Sequence, residues 1–463
     1  MEKKAVELIS KELGAQILRD QGRYTLHVLP CEKEGKAVLD RNAVVVGLWE
    51  ESELIQKHIK AEEIRPDGYV VKVTENDGFK LALIAAHDPA ALFYGAVDFV
   101  DDYFVKATPR HGALHLADEI FENELPEYYN SSAPAIKTRS VFTWGHPIND
   151  YRDYIENMAR LKLNQLIIWN DYAPLNAEDI VAYAHEFGIK VIWGFAWGWQ
   201  RNCGGIDLNS IDFDQLAESI IKTYEEQYDG LGDGIYFQSI TELDADSLGG
   251  KLVAEVVTDF VNSVAGRILE KHPDLFIQFG LHASSVKDHL VFIAKVDERI
   301  EIMWEDCGSF PYGYHPIIND QAAFDRAIEF TDKILTLREK GGVSMLFMGF
   351  MTLDWHKNCF VHQAGPFILG ESSGRIIEHD REMLKPIWRR LQSGWLQYGE
   401  YAYRMARHIF EHGNQNVTVG MAGQFAGGIW FPEALCAQML WECDKPYTEI
   451  FDKVSKRRSV EIV

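Results

Sequence analysis

In the middle of this sequence, tryptophan repeatedly falls beside carboxylate, amide or imidazole. The stretches are Thr143-Trp144-Gly145-His146, Trp169-Asn170-Asp171-Tyr172, Trp197-Gly198-Trp199-Gln200-Arg201, Trp304-Glu305-Asp306-Cys307 and Leu353-Asp354-Trp355-His356. Two more polar points, Thr241-Glu242-Leu243-Asp244 and His282, lie between them. Aromatic faces stack on the apolar faces of sugar rings, while carboxylates and amides bind hydroxyls, so this pairing is what a carbohydrate site requires. The candidate substrate contacts are Trp144, His146, Trp169, Asn170, Asp171, Trp197, Trp199, Arg201, His282, Trp304 and Trp355. Cleaving a glycosidic bond takes two carboxyl groups, one protonated to release the leaving oxygen and one ionised. Glu242 is the leading proton donor, and Asp354, Glu305 and Asp306 are the candidate partners. Asp244 and Asp246 read as solvated loop acids. The histidines 146, 282, 356 and 362 form no HxxxH or HxH pair, so neither a metal nor any other cofactor is expected.

Positioning these residues falls to a repeated strand, loop and helix rhythm that begins at Lys137. The spacing predicts strands over Arg139–Phe142, Gln165–Trp169, Lys190–Phe195, Gly234–Ile240, Phe276–Leu281, Arg299–Trp304 and Ser344–Phe350, with a last one within Val417–Trp430. Helical patterns separate them at Asp150–Leu161, Ala177–Phe187, Asp214–Gln227, Lys251–Lys271, Val286–Ala294 and Gln321–Lys340. Eight short apolar strands alternating with helices over ~300 residues is the pattern of a closed (β/α)8 TIM barrel. An open doubly wound sheet is the rival, and no glycine-rich phosphate turn follows the first strand to support it. In a barrel the candidate residues fall at the carboxyl ends of strands, where barrels carry chemistry.

A small α/β sandwich domain is expected over residues 1–130, with strands at Tyr24–Leu29, Ala43–Leu48, Tyr69–Val73 and Phe79–Ala85 and an apolar helix after His87-Asp88-Pro89. Glu124–Pro134, with two prolines and Asn-Ser-Ser, reads as a linker. The barrel is expected over 137–445 and a C-terminal tail over 446–463. Glu378–Glu411 reads as one or two extra helices, aromatic on one side through Trp388, Trp395 and Tyr398.

Composition narrows the partners. The 463 residues carry 70 acidic and 46 basic side chains, a formal charge of −24, which argues against nucleic acid or an anionic membrane as the main partner. No run of ~18 apolar residues could span a bilayer. Met1-Glu2-Lys3-Lys4 leads into an amphipathic helix pattern rather than a secretory signal core, and the six cysteines (31, 203, 307, 359, 436, 443) have no disulfide-like rhythm. The expected setting is the cytoplasm and the expected partner a small carbohydrate, an imported oligosaccharide or glycoside. A homo-oligomer stays open.

Two stretches resemble known enzymes. Asp150–Asp171, DYRDYIENMARLKLNQLIIWND, resembles the segment of β-N-acetylhexosaminidases in which a helix ending MALLKMN leads into the second barrel strand. Gly78–Val97 resembles the end of the small α/β domain that precedes the barrel in those enzymes and in α-glucuronidases. Retaining hexosaminidases carry Asp-Glu after strand four, where the Asp orients the substrate acetamide. This chain has Thr241-Glu242, and Thr supplies no such charge. The resemblance therefore carries the acid role to Glu242 and leaves the acetamide-assisting role without an occupant, so an N-acetylhexosaminidase would need an altered assisting residue. Resemblance to α-glucuronidases implies Glu242 as acid, with Asp354 and Glu305 or Asp306 as the base system. It also points to a uronate-bearing substrate, for which Arg201, Lys357 and Arg139 are the cations nearest predicted strand ends. A non-catalytic sugar-binding barrel is the alternative from outside enzymology.

Overall fold

The structure, a computed structural model, describes residues 1–19, 27–30, 42–104, 126–143, 146–170, 172–198, 211–241, 243, 245–282, 285–305, 321–338, 342–350, 366–413, 417–423, 425 and 427–463. The first part is a five-stranded sheet of β1 (His27–Pro30), β2 (Ala43–Leu48), β3 (Tyr69–Asn76), β4 (Phe79–Ala86) and β5 (Tyr128–Ser132), in the order β1-β2-β4-β3-β5. Successive side chains of a strand point to opposite faces. Val44, Val46 and Ile84 accordingly join the main core beneath the helix Pro89–Asp98, while Val45 and Leu83 pack with Ile55 and Ile59 on the other face. Asp88 caps that helix through the N–H groups of Ala90 and Ala91. Asp77 and Gly78, with φ of 52° and 85°, make the tight turn between β3 and β4.

The segment expected as a linker supplies β5 instead. Tyr128–Ser132 pairs antiparallel with Tyr69–Val73 at the edge of the sheet. An edge strand has one solvated side, so Asn130 and Ser131 are tolerated where a central strand would demand apolar residues.

From Thr138 the chain closes a barrel of eight parallel strands: β6 (Thr138–Phe142), β7 (Gln165–Trp169), β8 (Lys190–Ala196), β9 (Gly234–Gln238), then, after a short hairpin of β10 (Ser247–Leu248) and β11 (Lys251–Leu252), β12 (Phe276–Leu281), β13 (Ile300–Trp304), β14 (Val343–Phe347) and β15 (Thr418–Ala422). The last strand pairs with the first through Thr418–Ala422 and Thr138–Phe142. Inside the barrel, Phe142, Ile167, Trp169, Ile192, Tyr236, Met303 and Leu346 form a core of their own. Their strand neighbours Val141, Ile168, Phe237, Ile302 and Phe347 point outward into the layer under the helices. One end of the lumen is polar: Gln165 donates to Gln278, Gln278 donates to Glu301 Oε1 at 2.6 Å, and the Ser344 and Thr418 side chains lie beside Glu301. Burial pushes the Glu301 carboxyl above its ordinary value.

The helix Gly374–His412 runs unbroken through Pro386 and buries Trp388 and Trp395. Two helices follow the barrel, Phe431–Glu442 and Tyr447–Ser455, and β16 (Ile429–Trp430) pairs with β17 (Val460–Glu461) near the end of the sequence. An ionic cluster joins these parts. Asp98, fully buried at the end of the small domain's helix, lies 2.6 Å from Lys162 Nζ, 3.2 Å from Arg457 Nη2 and 3.4 Å from Lys453 Nζ, and accepts from the Tyr69 hydroxyl. Lys453 also meets Asp102 at 3.1 Å and Glu442 at 3.3 Å. The surrounding cations hold the Asp98 carboxyl far below the carboxylate range, although burial alone would raise it. Desolvation brings the Lys162 ammonium down to about 8. Lys162 also takes a left-handed backbone conformation, φ 60°, which costs a bulky residue energy unless its surroundings fix it. Among the described residues, no helix is long and apolar enough to cross a membrane.

Candidate active site

Glu305 lies one residue beyond β13, at the carboxyl end of the barrel. Alternation along that strand sends Ile300, Ile302 and Trp304 outward and Met303 inward, so Glu305 follows Met303 into the lumen. Its N–H donates to Leu281 O, which holds it beside the end of β12. The Glu305 side chain is fully buried. Its Oε2 accepts from Gln238 Nε2 at 2.6 Å and lies 2.8 Å from His282 Nε2. Gln238 Nε2 also reaches the Tyr236 hydroxyl, at 3.3 Å. Space for this group comes from Gly280: a methyl there would land on Glu305 Oε1 and the Tyr236 hydroxyl, and 2.7 Å from Tyr236 Cζ. His282 is placed by its own N–H, which donates to Thr241 Oγ1 at 3.2 Å, while Ser285 Oγ donates to Thr241 O at 2.5 Å. A carboxylate, an imidazole and an amide thus converge from three neighbouring strands, an arrangement suited to fixing a carboxylate's orientation or passing a proton along.

Beside this cluster, over the ends of β6 and β7, opens a cavity of about 410 Å³. Trp169 and Asn170 line it from β7, and Thr143, His146, Pro147 and Ile148 from the loop after β6. Ile168, Asn149, residues 367–372 and Asp380 complete the wall. The Trp169 ring meets Phe142 and Tyr236 edge-on, with centroids 6.4 and 5.8 Å apart, so Tyr236 links the cavity to the Glu305 cluster. Gly194 makes room for both rings, since a Cβ there would come within 2.8 Å of Trp169 and 3.2 Å of Tyr236. Trp169 N donates to Thr143 Oγ1, and the Tyr228 hydroxyl donates to Asn170 O. His146 Nδ1 lies 2.8 Å from Thr143 O. Desolvation lowers the His146 imidazole to about 4, so it is neutral at physiological pH, and the bond to Thr143 O selects the Nδ1–H tautomer.

Of the residues singled out from sequence, the structure gathers Glu305 and His282 in one cluster and His146, Trp169 and Asn170 around the adjoining cavity. Trp197 and Trp304 lie elsewhere. Trp197 stacks on Phe237 at 3.7 Å and Trp304 packs edge-on against Phe330, both buried in the layer between strands and helices. Their parity along the chain is that of the outward apolar residues. Arg139 opens β6 at the end opposite the mouth, where its guanidinium donates to the carbonyls of Ile136, Lys137 and Lys162. That position corrects the expectation that it could meet a substrate carboxylate. Trp144, Asp171, Trp199, Arg201, Glu242, Asp306, Asp354, Trp355 and Lys357 lie outside the described residues. Tyr236, Gln238 and Gly280 were not anticipated; a lone glutamine among the apolar residues of a barrel strand, two positions after a tyrosine, was the available signal. Among the described residues, no group of three or more His, Cys, Asp or Glu side chains could hold a metal.

No protein-family profile matches the chain, and no curated protein does either. Solved structures do. That of CpGH84B is 11% identical over 98% of this chain and 68% of its own, with a TM-score of 0.50. A GH138 enzyme targeting pectin rhamnogalacturonan II is 10% identical over 92% and 52%, TM-score 0.48. The GH115 4-O-methyl-α-glucuronidase BtGH115A, with specificity for decorated arabinogalactans, is 14% identical over 90% and 54%, TM-score 0.45. The chain spans about half the length of the last two. At these identities the likeness is one of fold alone.

Proposed function

We propose that this chain is a glycosidase that hydrolyses O-glycosidic bonds of small oligosaccharides or glycosides by carboxylate chemistry at the mouth of its barrel. The observation that carries this reading is Glu305, buried at a strand's carboxyl end and held by His282 and Gln238, beside a cavity walled by Trp169, Asn170 and His146. In such a site Asn170 and His146 offer polar atoms to hydroxyls, and Trp169, held by Phe142 and Tyr236, backs the cavity floor. Glu242, one residue after the anchored Thr241, is the proton donor. Glu305 belongs with Asp354 or Asp306 to the system that activates water or bonds the sugar. Trp144, Asp171, Trp199 and Trp355 complete the sugar contacts, and Arg201 and Lys357 would meet a uronate. The cytoplasm remains the proposed compartment.

A panel of 4-nitrophenyl glycosides, neutral and uronate, tests the reading. The purified chain should release nitrophenol from at least one member. Glu242→Gln should slow a substrate with a poor leaving group by about 10²–10⁴-fold, the usual contribution of a positioned general acid, and an activated aryl glycoside much less. Glu305→Gln should slow both alike. Absence of release across the whole panel would refute the proposal. Faster cleavage of neutral glycosides than of glucuronides would remove the uronate alone.

A further inference from the structure

The cavity beside Trp169 has two sides. Its inner side, at the strand ends, offers the polar groups of Thr143, His146 and Asn170 among Ile148, Ile168 and Trp169. Its outer side is a strap, residues 367–372, apolar in its first half at Phe367, Ile368 and Leu369 and polar in its second at Glu371 and Ser372. The strap is fastened along its length. Leu175 N donates to Phe367 O at 2.9 Å, and the Asn176 side chain makes two bonds to Leu369, donating to its carbonyl and accepting from its N–H. Tyr151 N donates to Gly370 O at 3.1 Å, and Ser372 N donates to Asn149 O at 2.9 Å. Gly370, with φ 71°, has no room for a Cβ, which would lie 2.6 Å from Tyr151 N. The strap is thus a fixed wall.

At its crest this wall leaves large apolar side chains in water. Ile368, which lines the cavity, is 61% exposed, and Leu175, bonded to the strap one residue away, is 72% exposed. Tyr172, on the same loop as Leu175, is also exposed. Scattered exposed apolar residues need no explanation, but Ile368, exposed in the wall of a cavity that also offers His146 and Asn170, with Leu175 exposed beside the same strap, suits an amphipathic ligand. A volume of 410 Å³ lies in the lower part of the range of small-molecule sites, room for a sugar and one further group.

We infer that the Ile368–Leu175 rim is the aglycone side of the site, and that the chain takes glycosides whose leaving group is an apolar aryl or alkyl moiety in preference to a second polar sugar. This rests on the glycosidase reading and specifies its substrate class. The sugar enters toward Trp169 and Asn170, and the apolar group covers Ile368 and Leu175. Removing roughly 50 Å² of apolar surface from water, at ~25 cal/mol per Å², corresponds to about tenfold in affinity.

The experiment compares 4-nitrophenyl with methyl glycosides of the same sugars, bound and turned over by the wild type and by an Ile368→Ser/Leu175→Ser double variant. Both side chains are exposed, so an unchanged melting temperature is expected and is measured alongside. The wild type should prefer the aryl glycoside by about tenfold in Kd or KM, and the double variant should lose most of that ratio. An aryl preference that survives the double substitution, or no preference in a wild type that does turn glycosides over, overturns the inference while leaving the glycosidase standing. If no glycoside is bound or cleaved, the glycosidase reading falls, and 4-nitrophenol alone decides the rim. Saturable binding weakened in the double variant sustains an apolar subsite, and absence of binding overturns it.

Discussion

Adding a single methyl group at Gly280 should silence the site while sparing the fold. Gly280 has an ordinary strand backbone, so alanine brings no conformational penalty there; what it brings is a Cβ in the space occupied by Glu305 Oε1 and the Tyr236 hydroxyl. Tyr236 must yield against the packing of its ring by Phe142 at 4.8 Å and Trp169 at 5.8 Å. Glu305 must move as well, stretching its 2.6 Å bond from Gln238 and its 2.8 Å contact with His282. Overpacking of this kind costs about 1–3 kcal/mol. A catalytic group displaced by about 1 Å loses on the order of 10² in rate. Gly280→Ala should thus unfold at modestly lower denaturant and lose about a hundredfold in kcat/KM on the best aryl glycoside. In a Glu305→Gln background the same methyl should cost little further activity, because both lesions act through one carboxylate. Gly420→Ala, whose Cβ would press on Ser140 and Leu346 rather than on Glu305, is the comparison for overpacking alone. A Gly280→Ala variant with activity near that of the wild type, or one whose loss simply adds to that of Glu305→Gln, would refute the reasoning.

Asp98→Asn should cost about 3–5 kcal/mol in urea unfolding, because Lys162, Lys453 and Arg457 would be left facing a neutral amide in a buried site. The Asp98 carboxyl is depressed in the fold, so its contribution is present above the unfolded carboxylate range and is lost as pH falls; the variant should show a weaker acid dependence of stability, and an unaltered one would count against the cluster. Glu301 has the opposite sign. Its raised carboxyl favours the fold below the ordinary glutamate value of about 4.3, and that stability is lost as pH rises through its folded value. Glu301→Gln should therefore flatten the decline in melting temperature that sets in as pH rises above the ordinary glutamate range, as thermal scans across pH would show.

The barrel was legible in the sequence because its strands are short apolar runs between turn residues. Gln165–Trp169 and Phe276–Leu281 are found where the pattern puts them. Strand parity was the harder signal. Trp304 continues the outward series Ile300 and Ile302, whereas Glu305 continues the inward one, so adjacent residues that both looked like site residues part to opposite faces. Trp197, likewise buried in the outer layer, shows how little a tryptophan's presence at a strand end says about the direction of its ring. The helix Phe431–Glu442 escaped notice because all twelve of its residues are buried, so no polar face marks the helical period. Val286–Ala294 contracts to a four-residue helix, Leu290–Ile293, since a short apolar stretch fits a turn against the core as well as a helix. The cavity's far wall was not legible either. It depends on residues 367–372 reaching back to Asn149, Tyr151 and Asn176, contacts nearly two hundred residues or more apart that no local pattern encodes.

The carboxylate of Asp98 also decides where this chain can be divided. It comes from the small domain, its nearest cation from the turn before the second barrel strand, and the other two from the last helix (Lys453) and the residues just after it (Arg457). A cut in the covalent connection near residue 137 would look natural, yet it would separate an anion from all three of its counter-ions. A graft of the barrel onto another front domain would have to bring an acid to the same spot or carry apolar replacements for Lys162, Lys453 and Arg457. One buried charge therefore ties the small domain, the barrel and the C-terminal segment together, and the loops at the mouth are where the wall of the cavity can be changed without disturbing it.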